Sequence, residues 1–291
     1  LLTFYLRYQF IVCYYYTRES GRKTFLRGPR MSEETAVKYV VLDGVALITL
    51  NRPDSLNCIN KSVLDGLSAA FDKAGKSADV KGVIVTGAGE KAFCAGADIS
   101  VFNKASPDEI RALARRAVAV FGKASTIGKP SVAAINGYAL GGGLELAESC
   151  MLRVAVDGAM LGHPEVKIGA VAAWGGTSRL PRLVGIGRAA ELLLTGKTIS
   201  AKEAYAMGLV NKVCTPSDLL ADARALLKEV TSQSPLAVQY TWEAMRTAMD
   251  VSLEQALESG IDFFGLAAGT EDFREGTGAF LEKRSPNFKG K

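Results

Sequence analysis

Histidine is almost absent from this 291-residue chain: His163 is the only one. That excludes a metal centre built from several histidines, and a Ser-His-Asp hydrolase would have to be assembled around this one ring. Cysteine is sparse as well. Cys13, Cys58, Cys94, Cys150 and Cys214 stand far apart without a C-x-x-C pair. Such spacing offers neither a zinc site nor a disulfide framework, and it fits buried thiols in a reducing, cytoplasmic setting. No apolar run is long enough to span a bilayer, because the aromatic-rich start is interrupted by Arg7. An excess of one charge is missing from most of the chain. The net charge is +5, yet residues 1–30 hold six basic side chains and one acid, so the remaining residues carry 29 of each sign. A neutral body lacks the dense basic stripe of a nucleic-acid-binding surface, and Arg111, Arg115 and Arg116 read as a solvated helix face.

What is present is a large apolar fraction, 48 %, enough to build a sizeable core. Residues 1–30 read as an N-terminal extension, disordered or not native, with Met31 as a natural start. Their Arg-rich, acid-poor composition keeps a mitochondrial transit peptide as the alternative. Residues 31–200 read as an α/β core and residues 201–291 as a helical region. In the core, "VKYVVL" and "VALITLN" flank Asp43-Gly44, a hairpin signal. "NKSVLDGLSAAFDKAGK" has helical spacing with Asn60 as its cap, and "SPDEIRALARRAVAVFGKA" is a helix capped by Ser106. "GVIVTG" and "SVAAIN" read as buried strands, and "GAGEKAFCAGADI" as a loop. Ser200, Glu203 and Gly208 start and stop a helix, and three or four more close the chain.

The chemistry points to "ALGGGLELAESC", residues 139–150. Three glycines follow a strand and open a helix, whose first N–H groups have no internal partner and face outward with the positive end of the dipole behind them. Such a place suits a carbonyl oxygen gaining negative charge. Glu145 falls in the first turn of that helix, a position that acids favour for structural reasons alone. A second carboxylate, Glu165, sits in "GHPEVKIG" after Pro164. Two acids in apolar, Gly-rich surroundings are what acid–base work requires, since burial and mutual repulsion separate their proton affinities. His163 reads as a hydrogen-bonding loop residue.

Five segments together resemble the enoyl-CoA hydratase/isomerase (crotonase) family, and most closely its short-chain enoyl-CoA hydratases. They are "ITLNRPDSLNCIN", "GVIVTGAGEKAFCAGADIS", "KPSVAAINGYALGGGLELAESC", "GHPEVKIGAVAAWGGTSRLPRLVG" and "TEDFREGTGAFLEKRSPNFK". The resemblance implies a crotonase-like spiral of ββα repeats with a helical C-terminal trimerisation region. It implies an oxyanion hole from the N–H groups of Ala97 and Gly142. It implies that Glu145 activates water and that Glu165 delivers a proton to Cα. Ser55, Leu56, Ala95, Gly96, Ala97, Asp98 and Ile99 would hold the coenzyme A arm, with Phe280 and Lys283 near its adenosine. No separate cofactor or metal is implied, because the substrate itself carries coenzyme A. The implied partners are an acyl-CoA and further copies of the chain, as a homotrimer or a dimer of trimers, with neither nucleic acid nor membrane.

Two departures stand out. Asp54 occupies a position where several hydratases carry lysine. "GAVAAWGG" replaces the family's frequent G-x-x-P-G-x-G-G, which leaves the preferred acyl group open. An isomerase or a hydratase of an unusual acyl-CoA on the same scaffold is the alternative. The paired glutamates argue against a protein that binds coenzyme A without turnover.

Overall fold

The computed structural model describes residues 35–291; the expectation for residues 1–30 lies outside the described residues. Strands β1 (Val37–Leu42) and β2 (Val45–Leu50) form the expected antiparallel hairpin. Asp43 and Gly44 both take positive φ, as a two-residue turn that matches the twist of its strands requires. On β2, Ala46, Ile48 and Leu50 point into the core, the alternation of a strand with one buried face.

Helix α1 (Lys61–Lys76) starts where the Asn60 side chain accepts from the Val63 N–H, and it buries Val63, Leu64, Leu67 and Phe71. A repeating unit then begins. A long strand, β3 (Gly82–Gly87), is followed by a short one, β4 (Ala92–Cys94), and a helix, α2 (Pro107–Thr126). The second unit is β5 (Ser131–Ile135), β6 (Tyr138–Leu140) and α3 (Gly142–Ser149). The third is β7 (Leu152–Val156), β8 (Met160–Gly162), a 3-10 turn at Glu165–Ile168 and α4 (Gly176–Val184). Next come α5 (Ile186–Thr195), β9 (Thr198–Ser200), α6 (Ala201–Ala206) and β10 (Lys212–Cys214). Four helices close the chain: α7 (Leu219–Thr231), α8 (Pro235–Ala248), α9 (Leu253–Ala268) and α10 (Glu271–Leu281).

The long strands form one sheet, ordered β1-β2-β3-β5-β7-β10, parallel from β2 onward. The short strands form a second, ordered β4-β6-β8-β9, in which β4, β6 and β8 run parallel. This is the ββα spiral. The segment read as a loop at 87–99 in fact contributes β4, and its three residues are too few to show a period. The second sheet is nonetheless what assembles the site, because the chain leaves β4, β6 and β8 side by side at their C-terminal ends.

Candidate active site

Each short strand ends in one of the segments singled out from sequence. After β4 comes Ala95-Gly96-Ala97-Asp98; after β6 come Gly141, Gly142 and Gly143; after β8 come His163, Pro164 and Glu165. A cavity of about 200 Å3 opens over these ends. It is lined by Ala95, Gly96, Ala97 and Ile99 from the first segment, Gly141, Gly142 and Glu145 from the second, and Glu165 from the third. Phe102 and Trp174 form an aromatic wall.

The three glycines have separate physical reasons. Gly141 caps α3 with φ of 49°, a conformation side chains avoid. A Cβ at Gly142 would stand 2.8 Å from Trp174 Cε3, and one at Gly143 would collide with the Cys94 carbonyl. The triplet thus lets α3 press against β4 and an indole ring. Gly142 is the first residue of α3, so its N–H has no intrahelical acceptor. The Ala97 N–H likewise donates to no acceptor among the described residues, although its neighbours are paired: Ile59 N donates to Gly96 O and Asp98 N to Ile59 O, each at 2.8 Å. A Cβ on Gly142 would come within 3.5 Å of Ala97 N, so the two unpaired amides are neighbours. Two adjacent free donors at a cavity wall are the geometry of an oxyanion hole.

Glu145 is 2 % exposed. Its position in the first turn of α3 does not make it a cap. Oε1 instead accepts from the amides of Trp174, at 2.7 Å, and Gly176, at 2.9 Å. Burial pushes the Glu145 carboxyl up to about 7, against the Gly176 hydrogen bond and His163, which favour the anion; Glu165 and Glu148 add to the rise. Glu165 opens the 3-10 turn, its side chain 15 % exposed and Oε2 buried without a partner. Its Oε1 lies where a Cβ on Gly141 would come within 2.9 Å, which sets the second carboxylate over the glycine turn.

The other candidates divide into two groups. The Leu56 carbonyl accepts from Ala95 N at 3.0 Å, so the Ser55-Leu56-Asn57 segment is stitched to the Ala97 loop. Arg52 adds an ion pair to Asp98 at 3.5 Å, and Ser100 a hydrogen bond that, with it, holds the Asp98 carboxyl below its usual range. Phe280, on α10, and Lys283 do not line this cavity and are exposed. Sequence reasoning missed Glu148 and the two amides that hold Glu145. Glu148 lies one turn beyond Glu145, and its spacing on α3 was the available signal. A larger cavity, about 550 Å3, lies elsewhere, between Lys129, Trp242 and Phe288; Glu243 is the one carboxylate in its lining, so it offers no paired acids.

Known proteins resemble this chain in sequence and in fold. The family model described as enoyl-CoA hydratase/isomerase matches residues 41–291. The crotonyl-CoA hydratase of Syntrophomonas wolfei is 41 % identical over 247 residues, covering 85 % of this chain and 95 % of that protein. The short-chain-enoyl-CoA hydratase of Clostridium acetobutylicum is 41 % identical over 240 residues, covering 82 % and 92 %. The crystal structure of an enoyl-CoA hydratase from Bacillus anthracis superimposes with a TM-score of 0.83 at 36 % identity, over 88 % of this chain and all of that one. Motifs, fold and relatives converge, and the chain belongs to the enoyl-CoA hydratase/isomerase family.

Proposed function

We propose that this protein hydrates trans-2-enoyl-CoA thioesters to 3-hydroxyacyl-CoA. The observation that carries the reading is the meeting of Glu145, Glu165 and the free amides of Ala97 and Gly142 around one cavity. The thioester oxygen accepts from the Ala97 and Gly142 amides. Glu145 takes a proton from water as its oxygen bonds to Cβ, and the Cα=Cβ pair moves toward the carbonyl to give an enolate. Glu165 then delivers a proton to Cα. With one Glu145 oxygen held by two amides, the other is free to orient the water. A base poised near neutrality suits this step.

Ser55, Leu56 and the Ala95–Ile99 loop form the wall for the coenzyme A arm, and no resident cofactor is invoked. Phe280 and Lys283 do not line this cavity, and the proposal assigns them to the adenosine of a substrate bound by another copy. A homotrimer or a dimer of trimers is part of the proposal. Leu253, Leu257, Ile261 and Phe264 recur at helical spacing along α9, and each is more than 60 % exposed, which is unusual for an apolar stripe facing water. No helix among the described residues is long and apolar enough to cross a membrane. The thiols of Cys94 and Cys150 are buried and unpaired, which supports a reducing, cytoplasmic location.

The test is absorbance of crotonyl-CoA at the conjugated thioester band, for wild type beside Glu145→Gln and Glu165→Gln. Rapid loss in the wild type and collapse in both variants is expected. An intact crotonyl band alongside conversion of a 3-enoyl-CoA into a conjugated product would replace hydration with isomerisation.

A further inference from the structure

Behind the cavity lie two buried polar side chains, His163 and Glu148, that the proposed reaction does not use. His163 Nε2 is 2.8 Å from Glu148 Oε1, and both side chains are sealed from solvent. On the other side of the ring, Nδ1 faces Glu165 Oε1 at 3.8 Å. That is too long for a hydrogen bond but close for charges in so dry a place. His163 Nδ1, Glu148 Oε2 and Glu165 Oε2 are buried and lack hydrogen-bond partners. The ring also packs on Gly176, where a Cβ would stand 2.8 Å from His163 Cε1. Gly176 is one of the two residues whose amides hold Glu145. One imidazole therefore touches Glu165 and the support of Glu145. Apolar side chains would fill this space without the desolvation cost of a partly satisfied network.

We propose that His163, anchored by Glu148, is a positioning residue for proton delivery by Glu165: its Nδ1–H faces the carboxylate on which negative charge appears as the proton leaves. The inference rests on the hydratase reading of Glu165. In the step, the Glu165 O–H bond breaks and its electron pair stays on the carboxylate. The proton forms the new Cα–H bond with the enolate's pair, and His163 keeps both its protons throughout.

The charge state agrees with the geometry. Burial alone would lower the proton affinity of His163, but the Glu148 hydrogen bond and carboxylate, joined by Glu165 once it is ionised, outweigh it and lift the ring to about 10. Both nitrogens are then donors at neutral pH. The charged groups that act on the ring are Glu145 and Glu148 from α3 and Glu165 from the turn after β8, and Glu148 in turn faces Arg179 from α4 and Arg153 from β7. The two arginines act on Glu148, so its carboxylate keeps compensating charge if His163 is replaced.

Because His163 is the single histidine, every imidazole signal of the untagged protein belongs to it. Nitrogen-15 NMR of the full chain is expected to show both ring nitrogens protonated from pH 6 to pH 8.5, with the Nδ1–H resonance moving when 3-hydroxybutyryl-CoA is added. In His163→Gln, kcat for crotonyl-CoA should fall about 10- to 100-fold, less than the loss of an oxyanion donor because no substrate atom is touched. KM should stay within about twofold, and the basic limb of the kcat profile should move to higher pH. Glu148→Gln should give the same pattern, and the double variant no further loss. A ring that titrates near 6.5 in the wild type, an unchanged kcat, or a loss carried by KM with an unmoved pH profile overturns the proposal. The NMR arm needs neither variant to fold nor turnover to occur. A wild type that leaves crotonyl-CoA intact therefore refutes the hydratase reading, while the ring's charge and its response to ligand are still decided separately.

Discussion

The Trp174 amide donates to Glu145 Oε1 at 2.7 Å, joining α3 to the loop before α4 across 29 residues of chain. The Gly176 amide reaches the same oxygen at 2.9 Å, so one carboxylate oxygen is fully engaged by backbone. Fixed donors of this kind hold the group without any side-chain entropy to lose. The carboxyl is nevertheless pushed up to about 7, because burial outweighs those hydrogen bonds.

Glu145→Gln tests both halves of that balance. Hydration of crotonyl-CoA should fall by about 10²–10⁴, the usual worth of a general base. The amide oxygen of glutamine can still accept from Trp174 and Gly176, so the fold survives. Stability should move the other way. A folded-state pKa raised from 4.5 to about 7 means that the native state binds the proton more tightly than the unfolded chain. The wild type is therefore favoured below about 4.5 and loses that stability as pH rises through 7. The variant escapes the loss, which is about 3 kcal/mol at about 1.4 kcal/mol per pH unit. Melting temperatures should show Glu145→Gln above wild type at pH 8, with the gap closing toward pH 5.

Gly143→Ala should damage the fold rather than the chemistry. Its Cβ would run into the Cys94 carbonyl, and both groups belong to the tightly packed contact between α3 and β4. Neither can yield without disturbing the second sheet, so a loss of about 3 kcal/mol is expected from overpacking. Gly158→Ala serves as the control, since a Cβ there meets nothing within 4 Å. Urea midpoints for the two variants check the contrast.

Much of this arrangement was legible from residue patterns. The Asp43-Gly44 turn and the Asn60 and Ser106 caps are local signals, and the structure shows each where the pattern placed it. The free amide of Gly142 also follows from local logic, because a helix that starts there must leave it unpaired. Long-range partners were not legible. Nothing near Glu145 announces that amides 29 and 31 residues away will hold it. The strands β4, β6 and β8 are three residues each, below the length at which alternation can be read. Glu148 and His163 looked ordinary singly, and only the fold joins them into a pair.

Asn57 should tolerate no acid. Its Nδ2 donates to the Ala88 and Ala92 carbonyls at 3.0 and 2.8 Å, while Oδ1 accepts from the Arg52 amide at 3.0 Å. The residue is buried with φ of 58°. Asn57→Asp keeps the shape but turns an anion toward two carbonyl oxygens. A loss of about 3 kcal/mol or more is expected at pH 7, partly recovered at pH 4 as the carboxyl takes up a proton. Denaturation midpoints at the two pH values are the check.

The apolar stripe on α9 gives a prediction about assembly. Ile261→Glu places a charge in the middle of the row formed by Leu253, Leu257 and Phe264. If that row meets other copies of the chain, burying an unpaired carboxylate there is prohibitive. Sedimentation velocity should then show the wild-type oligomer shifted to monomer. An Ile261→Glu protein that sediments like the wild type would move the interface elsewhere.

The last expectation concerns acyl size. The Trp174 indole lines the cavity and is packed edge-on against Phe121, with centroids 5.9 Å apart, and Phe102, at 6.5 Å. It also covers Gly142, where only the absence of a Cβ makes room for the ring. So large a side chain beside the free amides leaves little space for a long acyl tail in a cavity of about 200 Å3. The Trp174 amide, in contrast, serves Glu145 and is retained whatever the side chain. Trp174→Leu therefore separates the ring from the backbone. Each methylene that gains a place to bury contributes about 0.8 kcal/mol, so a few of them change a specificity ratio more than tenfold. The ratio of kcat/KM for trans-2-decenoyl-CoA over crotonyl-CoA should rise by at least about tenfold, while crotonyl-CoA turnover falls less than in Glu145→Gln. Should turnover instead collapse to the level of Glu145→Gln with no change in the ratio, the indole is holding the Trp174–Gly176 loop in place, and the limit on acyl length lies with other walls of the cavity.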